Sequence, residues 1–457
     1  MRLAVLGAGY VGLVTSTCLA EIGHSVACID LDEQKMARLS RGEIPFHERG
    51  LSELVMANVQ AGRLRFSSRL DAVVADAEAV FIAVGTPTLE ADGRADLSQV
   101  YAAARSIARL VSSGALIIVK STVPVGTGDE IERIIRTANP VADFDVVSNP
   151  EFLREGAAID DFMHPDRVVI GVESERARAR ASAIYAPLKL APETTLLVSR
   201  RSSELTKYAA NGFLAIKLSY INEIADFCET VGADIEDVAR GVGLDRRIGA
   251  AFLRPGPGYG GSCLPKDTLA LARSAEDHGI ASRMIDATIV VNNSRRRMMV
   301  QRIADAAGGD LENKMVAVLG LTFKANTDDL RESPAVDIVR GMLQRGARVR
   351  AFDPAGMAER KLLPPDLVCA SSAYDAAEKA DVLVIATEWP EFRSLDLPRL
   401  RRAMNGTVMV DLRNLFSAKA ASGSGFIYHG VGRGANGAGV VDRKHAVTRF
   451  ETAAATS

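Results

Sequence analysis

The opening stretch MRLAVLGAGYVGLVTSTCLAEIG leaves this chain few folds to choose from. An aliphatic run ends in Gly7, Gly9 and Gly12 at GxGxxG spacing, and a helical pattern starts at once. The glycine spacing alone is common. Between a strand and a helix it is specific, because glycines let the backbone approach a pyrophosphate whose charge the helix N-terminus favours. Tyr10 and Val11 lie in the same loop. Asp30 closes the next apolar run, HSVACID, at the distance expected of the acid that binds the ribose hydroxyls of a dinucleotide. A carboxylate there repels a 2′-phosphate, so the pattern predicts NAD rather than NADP. Lys35, Thr86 in VGTPT and Thr122 in KSTVPVG would line the same cleft, although each alone could be an ordinary cap or turn residue.

The rhythm of that first unit continues. AVFIAVG, ALIIVKS and FDVVSNP each end in glycine or polar residues before a helical pattern, as in a parallel, doubly wound sheet with ligands at the carboxyl ends of its strands. From about Ser202 to Arg247 strand patterns vanish; the segment opens with a Ser cap, and Ile221, Ile224, Ala225 and Cys228 recur at helical spacing, which predicts one long helix. From Lys314 the strand–helix rhythm returns in KMVAVLGLTFK, ARVRAFDP, DVLVIAT and GTVMVDLRN, a distant echo of the first unit. With 457 residues the chain exceeds what one core supports, and three units are expected. The tail 441–457 is basic, then small and polar, and is expected to be disordered.

The balance of 55 Lys and Arg against 57 Asp and Glu gives no nucleic-acid footprint, so the expected partner is a small molecule. The apolar N-terminus could imitate a signal peptide, but its glycines are spaced as a phosphate loop, and no run reaches the length of a membrane span. Five cysteines without paired spacing fit a reducing, cytoplasmic setting. The six histidines show no metal-ligand spacing, so no metal is expected.

Chemistry concentrates in two places. Lys207 and Asn211, four residues apart, share one helix face among apolar neighbours; they are either a solvated helix edge or, if buried, an oxyanion clamp. In RPGPGYGGSCLPKDT, Cys263 follows a glycine-rich loop and precedes Lys266 and Asp267. Cys18, Cys28, Cys228 and Cys369 lie in strand or helix patterns and read as packing. Cys263 reads as a nucleophile, since a nearby cation lowers a thiol pKa. An alcohol dehydrogenase that stops at the carbonyl needs no thiol. One that oxidises the aldehyde further does, because hydride leaves readily from a thiohemiacetal and the thioester can be hydrolysed. The combination predicts oxidation of an alcohol to an acid with two NAD consumed.

GAGYVG, GTPT, STVPVGT, NPEFLREG, SSELTKYAANGFLA, FLRPGPGYGGSCLPKD, GLTFKANTDDLRESP and ATEW, in this order, resemble the UDP-glucose 6-dehydrogenase family of nucleotide-sugar dehydrogenases over nearly the whole chain. The resemblance implies an α/β fold of two Rossmann-like doubly wound domains joined by a long central helix that forms a homodimer. The implied division is an NAD-binding domain over 1–200, a helical dimerisation domain over 201–300 and a UDP-sugar-binding domain over 310–440. It makes Cys263 the nucleophile, Lys207 and Asn211 the stabilisers of oxyanionic intermediates, and Asp267, Thr122 and Glu151 the handlers of water and protons. It assigns Glu155, Lys266 and Arg331 to the cofactor. UDP-glucose would be held by Glu151, Phe152, Leu153, Arg154 and Glu155, by Phe252, Leu253, Arg254, Pro255 and Gly256, and by Gly260 and Lys324, with Arg247 reaching the partner subunit's substrate. The sequence departs from the family in IPFHERGL, where His47 and Arg49 stand in place of Tyr and Pro. GDP-mannose 6-dehydrogenases share the Cys and NAD chemistry and are the nearest alternative; UDP-N-acetylmannosamine dehydrogenases typically lack the SCxPKD form. A silent nucleotide-sugar-binding protein is the alternative of another class, and retention of Cys263, Lys207, Asn211 and Asp267 together argues against it.

Overall fold

The computed structural model describes residues 1–433; the tail expected to be disordered lies outside the described residues. The first sheet contains β1 (Arg2–Leu6), β2 (Ser25–Ile29), β3 (Leu64–Ser67), β4 (Ala79–Ile82), β5 (Ala115–Val119), β6 (Phe144–Ser148), β7 (Val168–Gly171) and β8 (Thr195–Val198). Their spatial order is β3-β2-β1-β4-β5-β6-β7-β8. Every neighbouring pair is parallel except β6 and β7, which meet antiparallel at Ser148 and Gly171. Strands β4 and β5 are buried along their whole length, which explains their continuous apolar sequences: helices cover both faces of the sheet. The sequence order reverses between β1 and β4, and a crevice opens there at the strands' carboxyl ends.

The second sheet is fully parallel: β9 (Met315–Leu319), β10 (Arg348–Phe352), β11 (Val368–Cys369), β12 (Val382–Ile385), β13 (Val408–Asp411) and β14 (Ile427–Gly430), in the order β11-β10-β9-β12-β13-β14. Its switch point lies between β9 and β12, as in the first sheet.

A 32-residue helix, Arg200–Val231, joins the two. It is capped by Ser199, whose hydroxyl accepts from the Ser202 amide, one turn earlier than the Ser the sequence offered. The helix is also shorter than its pattern: Gly232 turns left-handed at φ 77°, and Asp234 caps a separate helix, Ile235–Gly243. The N-terminal half packs so closely on the first sheet that a Cβ on Gly171 would lie 2.6 Å from that of Ser203. Ile221, Ala225 and Cys228 in the C-terminal half share a core with Val316, Val318 and Val384 of the second sheet. One rigid element therefore fixes both sheets relative to the residues it carries midway. Among the described residues, no helix is long and apolar enough to cross a membrane.

Candidate active site

The phosphate loop is built as its glycines require. Gly7 has φ 96°, and a Cβ there would lie 2.6 Å from the Ala83 carbonyl oxygen; one on Gly12 would lie 1.8 Å from that of Gly7. A Cβ on Gly9, in contrast, would meet nothing within 4 Å. Gly9 is also the N-cap of the Tyr10–Glu21 helix, so an open approach leads straight to unpaired helix amides, the cradle a pyrophosphate needs. Asp30 accepts from the Ala8 amide and from Lys35 Nζ, both at 2.9 Å, and from the Asp32 amide. Burial works against its ionisation, but these bonds prevail and hold its pKa below the ordinary value. The residues present therefore fit NAD.

From this loop a cleft of about 1160 Å³ runs past Thr86, Thr122, Glu151, Leu153 and Glu155 to Cys263, Lys266, Asp267 and Arg331, with Tyr10 and Val11 in its wall. Cys263 caps the Leu264–Asp277 helix, which puts Asp267 one turn on with its amide bonded to the Cys263 carbonyl at 2.9 Å. Lys207 and Asn211, on the central helix, are both buried, so the solvated-edge alternative fails. Lys207 Nζ pairs with Glu151 Oε1 at 3.1 Å, and Asn211 Nδ2 donates to Asp267 Oδ2 at 2.5 Å. The second Glu151 oxygen accepts from the Leu153 amide, which folds the Phe152–Arg154 turn. Lys207 Nζ also lies 5.2 Å from the Phe152 ring centroid. Burial opposes the charge on Lys207, yet Glu151, Cys263 and Asp267 together raise its pKa, so it stays an ammonium.

One expectation fails here. Lys266 does not activate the thiol; its amine binds Asp267 Oδ1 at 2.6 Å. Burial, seconded by Glu151 and opposed by Lys207, pushes Cys263 up to about 11. The cation that opposes this rise is Lys207, from a different element.

Glu155 accepts from Ser262 Oγ at 2.9 Å and lies 3.8 Å from Arg331, so it links the first domain, the thiol loop and the second domain. Burial and then Asp329 raise its pKa. Lys324 is held below the usual lysine range by burial, against the pull of Glu155 and Cys263, which lie near it. Arg154 is exposed and paired with Asp161. Across the Phe252–Gly256 segment, Phe252 has φ 62°, Leu253 and Pro255 are buried, Arg254 is exposed, and the Gly256 amide donates to Asn222 Oδ1 at 2.8 Å. A Cβ on Gly260 would lie 2.2 Å from the Glu332 carbonyl oxygen, so glycine is required for the thiol loop to meet the second domain. Arg247 does not join this site: it lies on an exposed loop, paired with Asp245.

Three residues escape a reading by motif. Glu48, between the atypical His47 and Arg49, is buried; it accepts the Gly156 amide at 2.6 Å, the Ala158 amide at 2.9 Å and the Tyr10 hydroxyl, tying the phosphate loop to the turn at Gly156. Lys120, which burial pushes down to about 8, donates to Asn149 Oδ1 at 3.2 Å, just before Glu151. Arg413 donates to the carbonyl of Phe323, beside Lys324. Each works across a sequence gap that leaves no local signal. Among the described residues, no group of three His, Cys, Asp or Glu side chains could hold a metal.

Comparison with known proteins agrees with this anatomy along the chain. Three models of the UDP-glucose/GDP-mannose dehydrogenase family match it: the NAD binding domain over residues 1–189, the central domain over 201–294 and the UDP binding domain over 317–418. The UDP-glucose 6-dehydrogenase of Rhizobium meliloti (strain 1021) is 54% identical over 95% of this chain and 100% of its own. That of Pseudomonas aeruginosa is 46% identical over 95% and 98%. The solved UDP-glucose dehydrogenase of Pyrobaculum islandicum superposes with a TM-score of 0.88 at 40% identity, over 94% of this chain and 97% of that one. The chain thus belongs to the UDP-glucose/GDP-mannose dehydrogenase family, as an NAD-dependent enzyme with an NAD-binding first domain and a UDP-binding last one.

Proposed function

We propose that this protein oxidises UDP-glucose to UDP-glucuronate, taking up one water and reducing two NAD. The observation that carries the reading is the meeting of Cys263 with the Lys207–Glu151 and Asn211–Asp267 pairs in a cleft that begins at the phosphate loop. When bound, NAD supplies the acceptor for each of the two hydrides that leave C6 of the sugar. In the first oxidation the C6 hydroxyl loses its proton to a base, through water or a side chain, and becomes an aldehyde. Lys207, kept charged, and the Asn211 amide stabilise the oxyanion that forms there. Cys263 then adds through sulfur, its proton passing to the site, and gives a thiohemiacetal. Loss of the second hydride leaves a thioester. Thr122, Glu151 and Asp267 orient the water that attacks it; the C–S bond breaks, the carboxylate leaves and the thiol is restored. Glu151 to Glu155, Phe252 to Gly256, Gly260 and Lys324 hold the nucleotide sugar, while Gly7, Gly9, Gly12, Asp30, Lys35, Thr86, Lys266 and Arg331 hold the cofactor.

The domain division follows: 1–200 for NAD, 201–300 for dimerisation, 310–440 for the UDP-sugar. A homodimer is supported by Phe213, Tyr220 and Phe227, seven residues apart on one face of the central helix and each at least half exposed. Arg247, outside its own cleft, would serve the partner's. A cytoplasmic location is supported by five cysteines that are all free.

The test is the NADH yield. Two NADH per UDP-glucose consumed are expected, and Cys263→Ala should cut acid production by several orders of magnitude while UDP-glucose still binds. One NADH per sugar, or normal acid production without the thiol, would overturn the reading.

A further inference from the structure

The two sheets place equivalent residues at their switch points, and only one of the two leaves its strand-end acid free to meet a ligand. Leu6 pairs with Ile29 in the first sheet, and Leu319 with Phe352 in the second. The next residues correspond in turn. Gly7 and Gly320 have φ 96° and 94°, and each donates across to the neighbouring strand at 2.8 Å. Asp30 and Asp353 end those neighbouring strands, and the amides of Ala8 and Leu321 bind their Oδ2 atoms at 2.9 and 2.7 Å. On the other flank Ala83 and Ala386 donate to Leu6 and Leu319, so three residues on Thr86 corresponds to Trp389.

The surroundings then diverge. Asp30 is partly exposed and paired with Lys35. Asp353 is sealed: Oδ2 accepts from the Leu321 and Thr322 amides, the Thr322 hydroxyl and Trp389 Nε1, and Oδ1 from the amides of Ala355 and Gly356. No lone pair is left for a ribose. Trp389, the only tryptophan in the sequence, stands where the first domain keeps Thr86 in its cleft wall, and its indole N–H is shared by Asp353 and Thr322, at 3.1 Å each. Thr387 Oγ1 and Ser333 Oγ bind the carbonyls of Thr322 and Leu321 at 2.6 Å. The next helix begins only at Pro334, whereas in the first domain it begins at Tyr10, three residues after the glycine. This helix does not spring directly from the glycine, as the pyrophosphate-binding helix of the first domain does; its N-cap, Ser333, meets the loop at the Leu321 carbonyl.

We propose that Asp353 and Trp389 form a lock that closes the second crevice to a dinucleotide and fixes the 320–324 loop in the form that presents Lys324 to the diphosphate of the nucleotide sugar. Both are positioning residues. The inference rests on the reading above that the last domain holds UDP-glucose. It explains how one chain with two similar crevices takes two different nucleotides without exchange between them.

Calorimetry on the full-length enzyme tests it. Trp389→Phe keeps an aromatic ring and removes one shared donor; UDP-glucose should bind about threefold to tenfold more weakly. Asp353→Asn sets an NH2 group against either the four donors at the Oδ2 position or the two at the Oδ1 position, and the loss should be about tenfold or more. The dissociation constant for NAD, the binding stoichiometry of one NAD per chain and kcat at saturating UDP-glucose should each stay within about a factor of two. Unchanged UDP-glucose affinity in both variants would overturn the lock, as would parallel losses for NAD and UDP-glucose, or two NAD bound per wild-type chain. A wild-type enzyme that binds NAD and fails to bind UDP-glucose would instead reject the substrate reading beneath it.

Discussion

Cys263 works against its own surroundings. A thiol pushed up to about 11 has on the order of one molecule in a thousand ionised at pH 8, so at rest the Cys263 thiol stays protonated. Burial is the main cause of that shift; Glu151 and Asp267 reinforce it and Lys207 opposes it. Alkylation of Cys263 by iodoacetamide, followed on its own peptide by mass spectrometry, should accelerate throughout pH 9 to 11 without an earlier plateau. Glu151→Gln should move the midpoint down, because it removes the negative charge that most disfavours the thiolate. A plateau near pH 8.5 in the wild type would show the environment to be misjudged. The thiol was legible from its neighbours in sequence, but the sign of its shift was not. Lys266 is close in the chain and spends its charge on Asp267; Lys207 is distant in the chain and opposes the rise.

Among the elements, the central helix carries the most information. Its register is set by Glu204, a buried carboxylate that accepts the Gly126 and Gly128 amides at 2.7 and 2.9 Å and the Ser148 hydroxyl at 2.8 Å. The first two belong to the start of the Thr127–Ala138 helix, where a negative group is favoured. Lys207 follows one turn later, so the same contact that docks the helix aims the ammonium at Glu151. Glu204→Gln keeps the shape but sets an amide against one or more of three donors. It should destabilise the protein by about 1–3 kcal/mol, seen as a lower Tm, and reduce kcat. An unchanged Tm would remove Glu204 from this role. The helical pattern of the segment was plain in the sequence. Its interruption at Gly232 was not, since a lone glycine inside a helical pattern can be tolerated within the helix or can end it.

At the scale of the whole molecule, the chain leaves an apolar stripe bare. Phe213 and Phe227 are each 62% exposed, and Leu244, on the loop leading to Arg247, is 78% exposed. A second copy covering that stripe is the homodimer proposed above. Phe213→Asp with Phe227→Asp should convert the dimer to a monomer in sedimentation analysis and lower activity, even though neither residue lines the cleft. A wild-type protein that sediments as a monomer while fully active would end the dimer proposal.

Two kinds of information separate along these scales. The glycine spacing at Gly7, Gly9 and Gly12, the acid Asp30, the apolar strands and the cysteine loop are local patterns, since backbone freedom, strand burial and helix periodicity are set by a few neighbouring residues. They determined the doubly wound class and the cofactor crevice. Sequence could not reveal which side chains satisfy one another across the core. Glu48 on Gly156, Lys207 on Glu151 and Trp389 on Asp353 each join residues between 36 and 108 positions apart. Whether a buried charge is paired, a thiol is raised or lowered, or a crevice is open or sealed depends on what packing brings within about 3 Å, and only the tertiary structure decided it.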